Sequence, residues 1–371
     1  MATIDDFIAG FLEEPGYLDF GRVGPPSATV VAESNANTEI LARARFGTLS
    51  AFADEDLRMR TAASELIGFP ADQIVAQPNT GTGIMHAMFG LTGPVLLSAA
   101  EFPTVTLAAV RAADALHVVS PVWLETDHGR VTPGQIREQL TPTTAAVAVS
   151  LVDSRTGYLA DIEGIRQVIG DRLLIVDAIQ GLGVADVPYE VADVVASGGH
   201  KWMRAGWGTG LLALSERAVD RITPVFSGFA GTEIAEPFDT IVPPASGARA
   251  FAVANPDRLA QARFAAALEE VASVGVSMIQ SAVSDRVDAI IDLADEFAIA
   301  ISSSRDSSER AGIVVLEPPR HRLTVLTASL FNHGVTVTTR GGCVRLSVHA
   351  ATDGETVEML RAAFTSYAST V

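Results

Sequence analysis

The chain has 371 residues, a formal net charge of −18 and one cysteine, Cys343. The length suits two packed domains. The acidic balance disfavours nucleic acid and anionic membranes as partners, and a lone cysteine excludes a disulfide framework or a Cys-rich metal site, so no metal is expected. Hydrophobic residues are 48% and charged residues 19%, enough apolar content for large cores. No uncharged apolar run has the length of a membrane helix. The acidic opening Met-Ala-Thr-Ile-Asp-Asp-Phe lacks the basic flank of a signal peptide, which makes the cytoplasm the expected location.

Apolar, β-branched-rich runs of strand length recur from residue 74 onward, with amphipathic stretches between them. Strands are expected near 74–78, 95–98, 117–122, 145–152, 173–177, 194–197 and 210–214, and helices over stretches such as 104–115 and 161–169. The run 145–152, Ala-Ala-Val-Ala-Val-Ser-Leu-Val, is nearly all apolar, as a strand covered on both faces must be. Strands alternating with helices predict an α/β fold with a mainly parallel seven-stranded sheet. This large domain is expected over 46–245. Residues 236–250, with Pro237, Pro243, Pro244 and Gly247, read as the crossing to a second unit. Beyond it, 257–301 reads as one long Ala-rich helix. A strand at 312–316, a helix near 322–333, strands at 335–338 and 344–347 and a closing helix at 354–368 follow. With the N-terminal arm they form a smaller α/β domain, 1–45 plus 246–371. The serine-rich stretch 302–308 reads as an exposed turn.

Residues suited to chemistry fall where strands end, the edge at which open parallel sheets bind ligands. Asn79-Thr-Gly-Thr-Gly83 follows the first strand and opens a helix, so its backbone N–H groups can seat an anion, although such glycines also serve plain turns. No Gly-Lys-Ser/Thr follows, so it is not a P-loop, and no Gly-x-Gly-x-x-Gly marks a dinucleotide site. Asp177 closes the apolar strand Leu173-Leu-Ile-Val; it needs a cation or a hydrogen-bond donor there, or else it caps the next helix. Ser197-Gly-Gly-His-Lys201-Trp holds the only lysine of the chain, beside 25 arginines. A guanidinium replaces an ammonium on a solvated face but not in a task that needs a deprotonated amine, so Lys201 is the candidate imine-forming residue. Arg340-Gly-Gly-Cys-Val-Arg345 places two guanidiniums on strand-like sequence, where either can bind a carboxylate bidentately.

In this order and spacing the motifs resemble the class V aminotransferase family of fold-type I pyridoxal-phosphate (PLP) enzymes, from Tyr17-Leu-Asp-Phe-Gly21 to Val344-Arg-Leu-Ser347. Asp177-Ala-Ile-Gln180 resembles the family's Asp-x-x-Gln, Ser197–Trp202 its Schiff-base segment, and Gly206-Trp-Gly-Thr-Gly-Leu-Leu212 the glycine-rich strand entry that follows. The resemblance implies a Schiff base of PLP on Lys201, with Asp177 on the pyridine nitrogen and Gln180 on the ring oxygen. It implies that Gly81, Thr82, Ser197 and His200 hold the phosphate, that Phe102 stacks on the ring, and that Arg345 binds the carboxylate of an amino-acid substrate. Thr232 is implied to reach the phosphate of a second subunit in a homodimer. Asp153, or Ser154, falls where the family has an Asn near the ring, and His349-Ala-Ala-Thr352 replaces the family's Tyr-Asn-Thr. Cys343 lies close before Arg345 rather than on the long loop of cysteine desulfurases, so it is expected to be structural. Phe102-Pro-Thr104 resembles kynureninases. The implied activity is first an aminotransferase, with a Cβ lyase of kynureninase or desulfurase type, or an epimerase, as the alternative. A non-catalytic relative of the same fold is the competing class, and the joint presence of Lys201, Asp177, Gln180 and Arg345 speaks against it.

Overall fold

All seven expected strands pair into one sheet in the computed structural model, which describes residues 2–234 and 239–370. They are β1 (Ile74–Ala76), β2 (Gly93–Ser98), β3 (Val119–Leu124), β4 (Ala146–Ser150), β5 (Leu173–Asp177), β6 (Val194–Gly198) and β7 (Gly210–Leu214). Their order is β1-β7-β6-β5-β4-β2-β3. β7 runs antiparallel to both its neighbours, and the strands from β6 to β3 run parallel. The nearly continuous apolar runs have the predicted cause. Val147, Val149, Leu174 and Val176 pack into one core, and Ala146, Ala148, Leu173 and Ile175 pack into another on the opposite face. Period-two side chains thus serve two cores at once.

A second sheet is antiparallel, β8 (Ile313–Leu316), β9 (Thr338–Arg340) and β10 (Cys343–Ser347), in the order β8-β10-β9. The β9–β10 turn is Gly341-Gly342, both at positive φ, the backbone that two-residue hairpins demand. The strand expected at 335–338 begins three residues later. Thr336 instead bridges Tyr17 of the N-terminal arm, its amide donating to the Gly16 carbonyl and its carbonyl accepting from the Leu18 amide.

Two other expectations are corrected. The single helix expected over 257–301 is two helices, Arg258–Val274 and Val276–Glu296, broken at Gly275 with φ 92°. A left-handed residue cannot continue an α-helix, and glycine occupies that region without a Cβ clash. The turn at 302–308 is not wholly exposed: Ser303 is buried, donates to the Thr156 carbonyl and accepts from the Val315 amide. Of the crossing segment, Pro237 lies outside the described residues; Gly247–Phe251 forms a 3-10 turn whose Ala248 and Phe251 are buried. Among the described residues no helix is long and apolar enough to cross a membrane.

Candidate active site

The carboxyl ends of β2, β4, β5 and β6 meet at one edge of the large sheet. β5 closes on Asp177, whose Cα partner in register is Ser150, the last residue of β4. Asp177 is buried, and its Oδ1 accepts the Ile179 amide at 3.1 Å. Burial pushes the carboxyl up to about 6, while that hydrogen bond and the Lys201 charge pull the other way. A shift of this size corresponds to roughly 3 kcal/mol of differential cost for the charged form. A cationic N–H at hydrogen-bond distance would offset it.

β6 leads through Gly199 and His200 to Lys201. A Cβ on Gly199 would stand 2.5 Å from Thr209 Oγ1, and one on Gly24 would stand 2.0 Å from the Lys201 carbonyl oxygen. Glycines at both places let the N-terminal arm and the lysine loop touch backbone to backbone, with the Gly24 amide donating to the His200 carbonyl at 2.9 Å. Lys201 Nζ lies 5.6 Å from the Phe102 ring centroid. Burial pulls its amine down to about 8; Asp177 and Asp19 raise it, and Arg345 lowers it further. Roughly a tenth of the amine is therefore unprotonated at pH 7, far more than for a solvated lysine, as imine formation requires.

The helix Thr80–Gly90 starts at the carboxyl end of β1 with Asn79 as its cap. Asn79 Oδ1 accepts the Thr82 amide at 3.0 Å, so that N–H is already used, and the Thr82 hydroxyl lies 3.3 Å from the same oxygen. Thr80 Oγ1, in the first turn, is buried without a partner. Gly81 brings its backbone against Asn79 Oδ1, where a Cβ would come within 3.1 Å. Ser197 is fully buried, its hydroxyl 3.3 Å from the Gly198 carbonyl. Burial, then the Lys201 charge, lowers the pKa of His200 and favours a neutral ring with one N–H to give. Thr232 is less integrated: its hydroxyl donates to the carbonyls of Phe229 and Ile234. Phe229, Ala230 and Thr82 nevertheless border one groove of about 1160 Å³.

Three further residues depart from a simple cofactor contact. Gln180 donates to the Gly21 carbonyl at 2.9 Å and accepts from Trp202 Nε1 at 2.9 Å, so its amide clamps the arm to the lysine loop and keeps one N–H in reserve. Asp153 Oδ1 accepts from the Arg155 amide, the Thr156 amide and the Thr156 hydroxyl, which makes its carboxylate the cap of its own turn. Arg345 extends from β10 to the Ser154 carbonyl at 3.1 Å and stands 3.6 Å from the buried Asp19 carboxylate. Gly21 lies against it, where a Cβ would meet Ser347 Oγ at 2.6 Å and the Arg345 guanidinium carbon at 3.3 Å. Of the other arginines nearby, Arg340, noted from sequence, turns toward Phe102, with its Cζ 6.0 Å from the ring centroid; Arg22 lies 3.9 Å from Asp19; Arg155 turns back to Asp153.

Two acids were not found from sequence. Asp19, in the arm, accepts the Thr338 hydroxyl at 2.7 Å and faces Arg345. Glu101 follows β2 and is buried with Oε2 accepting the Ser150 amide at 3.0 Å; burial pushes its carboxyl up to about 7. Its position just past a strand end, directly before Phe102, was the available signal. Cys343 is partly exposed at the start of β10, and burial, then the Glu317 charge, pushes its thiol up. A raised pKa is the opposite of what a reactive thiol needs. His349, in the altered Tyr-Asn-Thr position, is buried among Phe11, Phe20 and Trp202 as a core ring.

The residues fit PLP: a buried carboxylate awaiting a cationic N–H, a half-buried amine with a lowered pKa, a flat ring beside it and a helix N-terminus with an unpartnered hydroxyl. Comparisons with known proteins agree. The chain is 27% identical to a probable cysteine desulfurase of Methanothermobacter thermautotrophicus over 58% of its length and 57% of the relative's. It is 26% identical to a kynureninase of Deinococcus radiodurans over 71% of its length and 66% of the relative's. It thus spans less than two thirds of either relative. The apo cysteine desulfurase of Thermococcus onnurineus NA1 superposes with a TM-score of 0.86 at 20% identity, covering 97% of each chain. A lysine-to-alanine mutant of C-DES, solved with glycine covalently linked to its PLP cofactor, superposes with a TM-score of 0.85 at 19% identity, covering 98% of this chain and 99% of that one. These structures establish fold type I. The profile of Aminotransferase class-V matches residues 39–370, so the chain belongs to the class V aminotransferase family of PLP-dependent enzymes.

Proposed function

We propose that this enzyme uses PLP held on Lys201 to act at Cα of an amino acid, and that the outcome is cleavage of a Cβ substituent. The observation that carries the reading is the pairing of the only lysine, a half-buried amine with a pKa near 8, with the buried Asp177 carboxylate at the same sheet edge. PLP, when bound, supplies an electron sink for the pair left at Cα. The protein supplies the rest. Asp177 holds a proton on the pyridine nitrogen, Phe102 stacks on the ring, and His200, Ser197, Thr82 and Gly81 hold the phosphate. Asp153 stands near the ring through its turn, and Gln180 offers its reserve N–H to the ring oxygen. Arg345 binds the substrate carboxylate, which fixes the Cα–H bond for Lys201 Nζ to take as general base.

Amino-group transfer, the outcome placed first by sequence, starts from the same proton removal and is the second reading. The lyase comes first because the curated relatives are a kynureninase and a probable cysteine desulfurase. The unactivated Cys343 argues for cleavage without a cysteine nucleophile. The two readings separate in one assay. A lyase turns over repeatedly without an oxo-acid acceptor; a transaminase stops after one equivalent per site. Sustained release of a side-chain fragment is expected, and a stop at one equivalent that an oxo acid relieves would assign transamination.

We further propose a homodimer with Thr232 serving the partner's phosphate site. Phe46, Leu49 and Trp207 are large apolar side chains open to solvent, an arrangement that a second copy would cover. Sedimentation should give a mass of two chains. A cytoplasmic setting belongs to the same proposal, since a chain with one cysteine needs no oxidising compartment.

A further inference from the structure

Cationic side chains collect on one side of the Lys201 site without enough carboxylates to match them. In the β9–β10 hairpin Thr338 is the Cα partner of Arg345, and Arg340 is that of Cys343. Side chains two apart on a strand share a face, so Arg340 and Arg345 are diagonal neighbours, roughly 7–8 Å apart, on one face. That face is turned toward the large sheet: Arg345 reaches the Ser154 carbonyl, and Arg340 approaches the same Phe102 ring as Lys201. Arg22 joins from the N-terminal arm.

The acids facing this group are few. Asp19 lies 3.6 Å from Arg345 and 3.9 Å from Arg22, so one carboxylate serves two guanidiniums. Asp153 is taken by Arg155 at 3.5 Å. Arg340 has no carboxylate within ion-pair distance among the described residues. Glu317, beside Cys343, follows β8, which pairs with the other edge of β10 from β9. Two strand spacings therefore separate it from Arg340. Two guanidiniums thus share one carboxylate while the third, Arg340, pairs with none among the described residues, and the mouth of the site keeps unmatched positive charge in a chain whose net charge is −18. One α-carboxylate neutralises part of it. Bidentate guanidinium geometry suits a second planar or tetrahedral anion for the remainder.

We propose that the site selects amino acids whose side chain carries a second anionic group, held by Arg340 with Arg22 beside it, while Arg345 takes the α-carboxylate. The inference rests on the reading of the site as one that binds an amino acid on PLP. Lys201 and Arg340 both approach the Phe102 ring, at 5.6 Å and 6.0 Å from its centroid, so the second anion would be held close to the reacting centre.

The test uses the PLP-loaded enzyme and follows its visible band during titration with matched pairs: L-aspartate and L-asparagine, L-glutamate and L-glutamine, S-carboxymethyl-L-cysteine and its amide. In at least one pair the acidic member should saturate the spectral change at a concentration about tenfold lower than its neutral isostere, the worth of one charge-assisted contact. Arg340→Gln should erase that preference while leaving the neutral member's response in place, Arg340→Lys should keep part of it, and Arg345→Gln should weaken both members alike. Acidic members that bind no better than their isosteres in every pair, a band that responds to none of them, or an Arg340→Gln effect equal on both members would each overturn the inference. Neutral amino acids that shift the band with no acidic preference would leave the PLP reading intact. A band absent from wild type, or unchanged in Lys201→Ala, would remove that reading itself.

Discussion

The large-sheet edge and the β9–β10 hairpin face the same site and treat charge in opposite ways. At the sheet edge Asp177 and Glu101 are buried and Lys201 is half-buried, and the loss of solvent moves all three toward their neutral forms. On the hairpin Arg340 is exposed, Arg345 is only partly buried, and one Asp19 carboxylate is shared between Arg345 and Arg22. Low dielectric tunes proton positions, which suits chemistry at Cα. Unmatched guanidiniums near water keep charge free for an incoming anion, which suits recognition. On the proposed reading the two regions divide labour: the large sheet would react, and the small sheet would select.

Substitutions that confuse the two roles would break this division, and the largest effect is expected at Lys201. Lys201→Ala should lose the cofactor band and cut turnover by about 10³-fold or more, in the range of a lost general base. Lys201→Arg should not restore either, because a guanidinium stays protonated; recovery with arginine would contradict the role of a free amine. Asp177→Asn should retain PLP while lowering kcat by roughly 10²-fold, the scale of a lost electrostatic contact to the reacting system.

The hairpin should answer differently. Arg345→Gln is expected to raise KM by about 10- to 100-fold, the loss of a charged hydrogen-bonding pair, with a smaller change in kcat. Gly21→Ala tests the same contact from behind. Its Cβ would stand 2.6 Å from Ser347 Oγ and 3.3 Å from the Arg345 guanidinium carbon. A rise in KM of roughly threefold to tenfold follows, below that of Arg345→Gln. A fall in kcat alone would place Arg345 with the chemistry and erase the division.

The smallest effect sharpens the electrostatics. On the proposed reading Lys201 would hold the cofactor through its free amine, and its pKa lies near 8. PLP uptake by the cofactor-free protein should therefore quicken as pH rises through about 8 and level off above it. Asp177 raises that pKa, so Asp177→Asn should move the midpoint to lower pH. An unchanged or raised midpoint would show that the two groups do not interact.

Much of the reacting half was legible in the sequence. Its inner strands β5 to β7 are buried on both faces, so they read as continuous apolar runs, and Asp177 and Lys201 stand where two of those runs stop. The selecting half was less legible. Nothing local marks Arg340 as turned toward the site; its direction comes from the Gly341-Gly342 turn and the register with β10. Asp19 gains its role from a bridge to Ser347, at the other end of the chain. Thr336 leaves the expected strand to pair with the same arm. Gln180 and Asp153 show a related limit: their positions were predicted, but partners remote in sequence or local turn geometry decide what their polar atoms hold.

The central claim is that Lys201 carries the cofactor on which an amino acid reacts. Its most direct test is the visible absorbance of wild type and Lys201→Ala after equal exposure to PLP, followed by addition of amino acids. The account predicts a long-wavelength band in wild type alone, shifted or bleached by a substrate amino acid. Indistinguishable spectra from the two proteins would contradict it.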